Sequence, residues 1–138
     1  MTASESSFDS PSAQRTVLVI EDNDDARAAL VALLELEGLV VEGAADGQQG
    51  IDIARAKHPE IALIDIGLPG IDGYEVGRRI RALLGPRIFL VALTGYGQPE
   101  DRQRTVEAGF DAHLVKPVDP TDLTALLTRG TPGRGSPG

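Results

Sequence analysis

No cysteine occurs anywhere in the chain, so disulfides, thiolate nucleophiles and zinc-thiolate sites are excluded from the outset. Aromatic side chains are nearly as scarce, at 4% against 41% for hydrophobic residues as a whole, so the core must be made of Val, Leu, Ile and Ala. No apolar stretch approaches the roughly 20 residues that cross a bilayer, and no apolar signal segment stands at the start. The expectation is a soluble, cytoplasmic chain without membrane insertion. Positive charge is outnumbered, with 13 Lys and Arg against 21 Asp and Glu. The resulting net charge of −8 repels phosphate backbones and argues against direct contact with nucleic acid.

What is present has the length of one domain, 138 residues. Residues 1–14 are Ser-rich and poor in apolar side chains, which predicts a disordered lead. Residues 129–138 are Gly- and Pro-rich and predict a flexible tail, leaving 15–128 as the folded unit. Within it, short apolar runs at 17–20, 61–64, 88–93 and 112–115 predict strands buried on both faces, and 40–44 predicts a further short strand. Helical periodicity fills the gaps. The first helix follows Asp25 and runs through Leu36, with Gly38 as its C′ glycine. The second starts at Asp46 and stops at His58-Pro59, and the third spans 74–84 before Gly85-Pro86. The fourth spans 100–108 before Gly109, and the fifth 119–127. Five β/α units in alternation require a parallel sheet with helices on both faces. Such sheets hold their ligands at the carboxyl ends of the strands.

Four of those strand ends carry chemically active residues: Glu21-Asp22, Asp65, Thr94 and Lys116-Pro117. Each alone has an ordinary structural explanation. Asp22 or Asn23 would cap the first helix, Asp65 would open a Gly/Pro turn, Thr94-Gly95 is common strand-exit chemistry, and Lys116 would be a solvated lysine before a helix. Their coincidence on one rim favours a site. A carboxylate nucleophile at Asp65 suits phosphoryl transfer, which depends mainly on in-line positioning and on neutralising the phosphoryl oxygens. Glu21, Asp22 and Asp65 crowded together repel one another, which makes most sense around a divalent cation. Magnesium is favoured for its preference for oxygen ligands, with manganese as the alternative. Lys116 would place a compact positive charge on the phosphoryl oxygens, and Thr94 would donate its hydroxyl to one of them.

These strand ends, with the loop Leu68-Pro69-Gly70-Ile71-Asp72-Gly73, resemble the receiver domain of response regulators over nearly all of residues 16–128. The run from Gly109 to Asp119 is most similar to receivers attached to hybrid sensor histidine kinases. The resemblance implies a flavodoxin-like (βα)5 doubly wound α/β fold with a five-stranded parallel sheet in the order 2-1-3-4-5. It implies that Asp65 accepts a phosphoryl group from a histidine kinase or histidine phosphotransfer protein and later loses it to water, with no other enzymatic activity. It also implies that Asp22 and Asp65 ligate Mg2+ directly, Glu21 through water, and Gly67 through its backbone carbonyl. Thr94 and His113 would form the switch, with His113 standing where receivers commonly carry Tyr or Phe. The output would leave through the face of helix four, strand five and helix five, which could also form a homodimer. Whether the chain stands alone or belongs to a longer hybrid kinase is left open.

A haloacid-dehalogenase-like phosphatase would need a second acid two residues after the nucleophile, where Gly67 stands. A flavodoxin-like nucleotide or flavin binder would need a phosphate loop after strand one, where an acidic run stands instead. A receiver used only as an unphosphorylated docking platform is the remaining alternative, and the intact acidic site argues against it.

Overall fold

The computed structural model describes residues 15–95 and 102–129. Five parallel strands are β1 (Thr16–Ile20), β2 (Val40–Ala44), β3 (Ile61–Asp65), β4 (Phe89–Thr94) and β5 (Ala112–Val115). They alternate with α1 (Asp24–Leu36), α2 (Gly47–Lys57), α3 (Gly73–Leu84), α4 (Arg102–Glu107) and α5 (Pro120–Arg129). The sheet order is β2-β1-β3-β4-β5, the doubly wound order that the resemblance implies. Two bounds differ from the sequence reading in an instructive way. Ile88 is not in β4, because Gly85–Arg87 forms a 3-10 turn that delays the strand by one residue. Helix α5 continues through Arg129, past the expected end at residue 127. The expected lead, all but the first residue of the expected tail, and the expected first two residues of the fourth helix lie outside the described residues.

Strand alternation divides the core into two layers. Leu18, Ile20, Ala62, Ile64, Leu90 and Ala92 pack with Ile51, Ala54, Val76 and Ile80 of α2 and α3. Val17, Val19, Ile61, Leu63, Val91 and Leu93 pack with Leu30, Leu34, Leu123 and Leu126 of α1 and α5. Each fully buried Val, Leu or Ile among them contributes about 1.5–3 kcal/mol, so the sheet is secured from both sides.

The helix starts are set by side-chain caps. Asn23, Asp46 and Asp72 accept the backbone N–H of Ala26, Gln49 and Glu75 at 2.8, 2.8 and 2.9 Å. Gly38 ends α1 with φ +87°, as its position after Leu36 predicts. The helices lie close to the sheet because small residues face it. At Gly50 of α2, a Cβ would meet Ile20 Cδ1 at 2.2 Å. The result is a fixed rim at the carboxyl ends of the strands, where the loops carry the candidate site residues.

Candidate functional site

The rim brings Glu21, Asp22, Asp65, Thr94 and Lys116 to one place. Backbone bonds lock the loops in register: Glu21 N donates to Ala44 O (3.0 Å), Ile66 N to Leu93 O (2.9 Å) and Lys116 N to Thr94 O (2.7 Å). Capping of α1 falls to Asn23, so Asp22, exposed at the loop, is not the cap. One carboxylate oxygen each from Glu21, Asp22 and Asp65 lie within 4.8 Å of one another.

Lys116 Nζ bridges two of them, at 2.8 Å from Glu21 Oε1 and 3.3 Å from Asp65 Oδ2. Burial opposes the charge on this ammonium, but the hydrogen bond to Glu21 and the attraction of Asp65 outweigh it. Its pKa therefore stands above the ordinary lysine value of 10.5. Glu21 is almost completely buried, and its second oxygen accepts the N–H of Asn23 at 2.9 Å. The turn explanation for Asp65 holds for one of its oxygens: Oδ1 accepts the N–H of Gly67 at 2.9 Å, while Oδ2 faces Lys116. Asp65 thus serves the turn and the site together.

The loop after Asp65 is held against α3 by close backbone contact. A Cβ on Gly73 would fall 2.2 Å from the carbonyl oxygen of Asp65 and 2.5 Å from Ile66 Cα, so only glycine lets α3 start there. Three carboxylates and one ammonium leave two uncompensated negative charges among oxygen donors. The donor set suits a hard divalent cation.

Thr94 is buried, and its hydroxyl makes a long hydrogen bond of 3.4 Å to the carbonyl of Leu114. His113 pairs in register with Ala92, on the sheet face that packs against α2 and α3. Thr94, two residues after Ala92, belongs to the same face. The two expected switch residues therefore share one side of the β4–β5 pair, with His113 half-buried. His58 lies elsewhere, ending α2 in the left-handed region at φ 49°.

Beside the acidic cluster, a cavity of about 450 Å³ runs along α1 and the loop after β5. Ala26, Ala29, Leu33, Pro117 and Val118 make it apolar, and Asn23 and Lys116 stand at its site end. The sequence reading did not foresee this groove, although the Ala-rich outer positions of α1 were its available signal. It also passed over Arg27, whose Nη1 donates to the carbonyl of Glu21 at 2.8 Å.

The sequence matches the family model of the response regulator receiver domain over residues 17–128. It is 36% identical over 116 residues to an uncharacterised 14.6 kDa protein of Leptolyngbya boryana, covering 83% of this chain and 88% of that one. It is 37% identical over 119 residues to the transcriptional regulatory protein AfsQ1 of Streptomyces coelicolor, covering 83% of this chain but 52% of that protein. The chain thus spans about half the length of that regulator. Among solved structures, it is similar to the receiver domain of sensor histidine kinase PA1611 from Pseudomonas aeruginosa PAO1, with magnesium coordinated in its active-site cleft. The TM-score is 0.78 at 33% identity, covering 86% of this chain and 98% of that one. The haloacid-dehalogenase alternative finds no support in these similarities.

Proposed function

The chain belongs to the response regulator receiver family, and on that premise we propose that Asp65 is its phosphoacceptor and that Glu21, Asp22 and Asp65 hold a magnesium ion. The observation that carries this reading is the position of Lys116, with Nζ between Glu21 and Asp65 at one edge of a three-carboxylate cluster. The donor is the phosphohistidine of a kinase or phosphotransfer protein. A carboxylate oxygen of Asp65 forms the new O–P bond as the N–P bond to histidine breaks, and the imidazole leaves with a proton from solvent. Bound magnesium would neutralise charge on the phosphoryl oxygens, with the Gly67 carbonyl as a further ligand. Lys116 exchanges part of its contact with Asp65 for a phosphoryl oxygen. Thr94 turns its hydroxyl from the long bond to Leu114 towards the phosphoryl group, and His113, on the same face, fills the vacated space.

The apolar groove along α1 ends at Lys116, whose ammonium contacts Asp65, so a donor helix lying in it would bring its histidine towards that carboxylate. Output passes through α4, β5 and α5, where Val106 and Val115 are exposed, and a homodimer would use the same face. Among the described residues no helix is long and apolar enough to cross a membrane, which accords with a receiver working in the cytoplasm. Attachment to a hybrid kinase remains the reading that the sequence after Gly109 favours.

Intact-mass spectrometry after incubation with acetyl phosphate tests this reading. One magnesium-dependent phosphoryl adduct is expected on the wild type and none on Asp65→Asn. An adduct of equal size on the variant would remove Asp65 as the acceptor.

A further inference from the structure

Arg27 is a cation where a helix least favours one. It lies in the first turn of α1, its own N–H bonded to the carbonyl of the cap Asn23 at 2.9 Å, at the positive end of the helix dipole. Its side chain does not escape to solvent: it is only 23% exposed. The stem lies across β2 at Gly43, where a Cβ would approach Arg27 Cδ to 3.3 Å. From there the guanidinium reaches back past the start of the helix. Nη1 donates to the Glu21 carbonyl at 2.8 Å and Nη2 to Asp24 Oδ1 at 2.7 Å. Asp24 is 85% exposed, and such surface pairs contribute little, so the ion pair does not account for the placement.

The bond to the carbonyl does. A peptide group is planar, so fixing the Glu21 carbonyl fixes the plane of the Glu21–Asp22 peptide and the direction in which Asp22 leaves it. Glu21 is then held on every side: its N–H by Ala44, its carbonyl by Arg27, and its two carboxylate oxygens by Asn23 and Lys116. We infer that Arg27 is a positioning residue for the divalent cation, gripping the Glu21–Asp22 peptide so that both carboxylates are pre-aimed at the ion. This rests on the magnesium reading above.

Positioning and simple electrostatics predict opposite signs. Removing a positive charge near a cation site would tighten binding, whereas releasing a positioned ligand pair would weaken it. Isothermal titration calorimetry with Mg2+ alone, on the whole chain, separates them. Arg27→Ala is expected to weaken binding about tenfold, the scale on which residues supporting metal ligands act. Arg27→Lys keeps the charge but not the planar fork, and is expected to weaken it in the same direction. Gly43→Val keeps the whole guanidinium but occupies the place of its stem, and is expected to do likewise. It also stands in if Arg27→Ala fails to fold. Unchanged or tighter binding in folded Arg27→Ala, or wild-type affinity in both of the other variants, would overturn the inference. Absence of Mg2+ binding to the wild type would instead overturn the cation reading, and this inference with it.

Discussion

At the residue scale, two glycines in one loop separate steric necessity from backbone strain. Gly73 has no room for a side chain, because a Cβ would strike the backbone of Asp65 and Ile66. Gly70 has open space but φ +75°, so alanine there meets only the left-handed penalty. We expect Gly70→Ala to cost about 1–2 kcal/mol. Gly73→Ala should cost about 3 kcal/mol and displace Asp65 as well, since the obstructing atoms are backbone. Urea unfolding checks the first difference, and acetyl phosphate labelling the second. Equal labelling of the two variants would show that Gly73 does not set the place of Asp65.

Lys116 carries a prediction of the same kind. In EDTA, Lys116→Ala leaves the buried Glu21 without its charged partner, at a cost of about 1–3 kcal/mol. With Mg2+ the gap should shrink, because the ion replaces the lost positive charge. The pH dependence has a definite sign. A lysine whose pKa is raised on folding contributes its full stability below its ordinary value of 10.5 and loses it as the pH climbs through the folded value. The difference between wild type and variant in EDTA should therefore be flat through neutrality and close only in strong alkali. A gap that closed between pH 6 and 8 would assign the effect to another group.

At the element scale, the ends of α3 are fastened differently. Its start is fixed by the Asp72 cap together with close backbone contact at Gly73, and its end by one long side chain. Arg81 donates to the carbonyls of Gly85, Ile88 and Gly109 at 2.7–3.0 Å and to Asp111 Oδ2 at 2.7 Å. Asp111 in turn accepts the N–H of Leu90 at 2.9 Å, so one guanidinium ties α3 to the beginnings of β4 and β5. Arg81→Lys supplies the charge without the fork and should cost about 2–4 kcal/mol, read as a lower urea midpoint with unchanged slope. Loss no greater than for an ordinary surface arginine would mean that water serves those carbonyls equally well.

Arg81 also shows where sequence reading stops. Strands 40–44 and 112–115 were legible to the residue because turn signals bound them on both sides, although both are edge strands and 112–115 is only partly buried, not buried on both faces as expected. The glycine stop at Gly38 was legible because its physics is local, and the start of α2 was read one residue early, at Asp46, which caps the helix. Arg27, Arg81 and Arg104, which stacks on Tyr74 at 3.9 Å, look like solvated cations in a linear sequence. Apart from the exposed Asp24 beside Arg27, the partners named for them lie on other elements or on backbone atoms that carry no sequence signature. The acids and Lys116 were legible for the opposite reason, because each ends a strand and the topology gathers strand ends.

At the scale of the whole molecule, charge and fold pull against each other at one rim. The chain carries a net charge of −8, and folding concentrates two unneutralised carboxylate charges beside Lys116. Any salt would relieve the diffuse part of that repulsion, but only an ion held between the carboxylates relieves the local part. The two contributions can be separated. At ten times its dissociation constant, Mg2+ should stabilise the fold by about 1.4 kcal/mol, which for a domain of this size raises the Tm by about 5 °C. NaCl at matched ionic strength should give a smaller rise that does not saturate. Asp22→Asn should keep the NaCl response and lose most of the Mg2+ response, because it removes one ligand charge and leaves the rest of the molecule's field nearly unchanged. Equal rises in the two salts, or an Mg2+ response indifferent to Asp22, would reduce the acidic cluster to one more part of a negative surface. A saturating rise that depends on Asp22 would mean that the strain of gathering the acids is relieved by the ion they are gathered to hold.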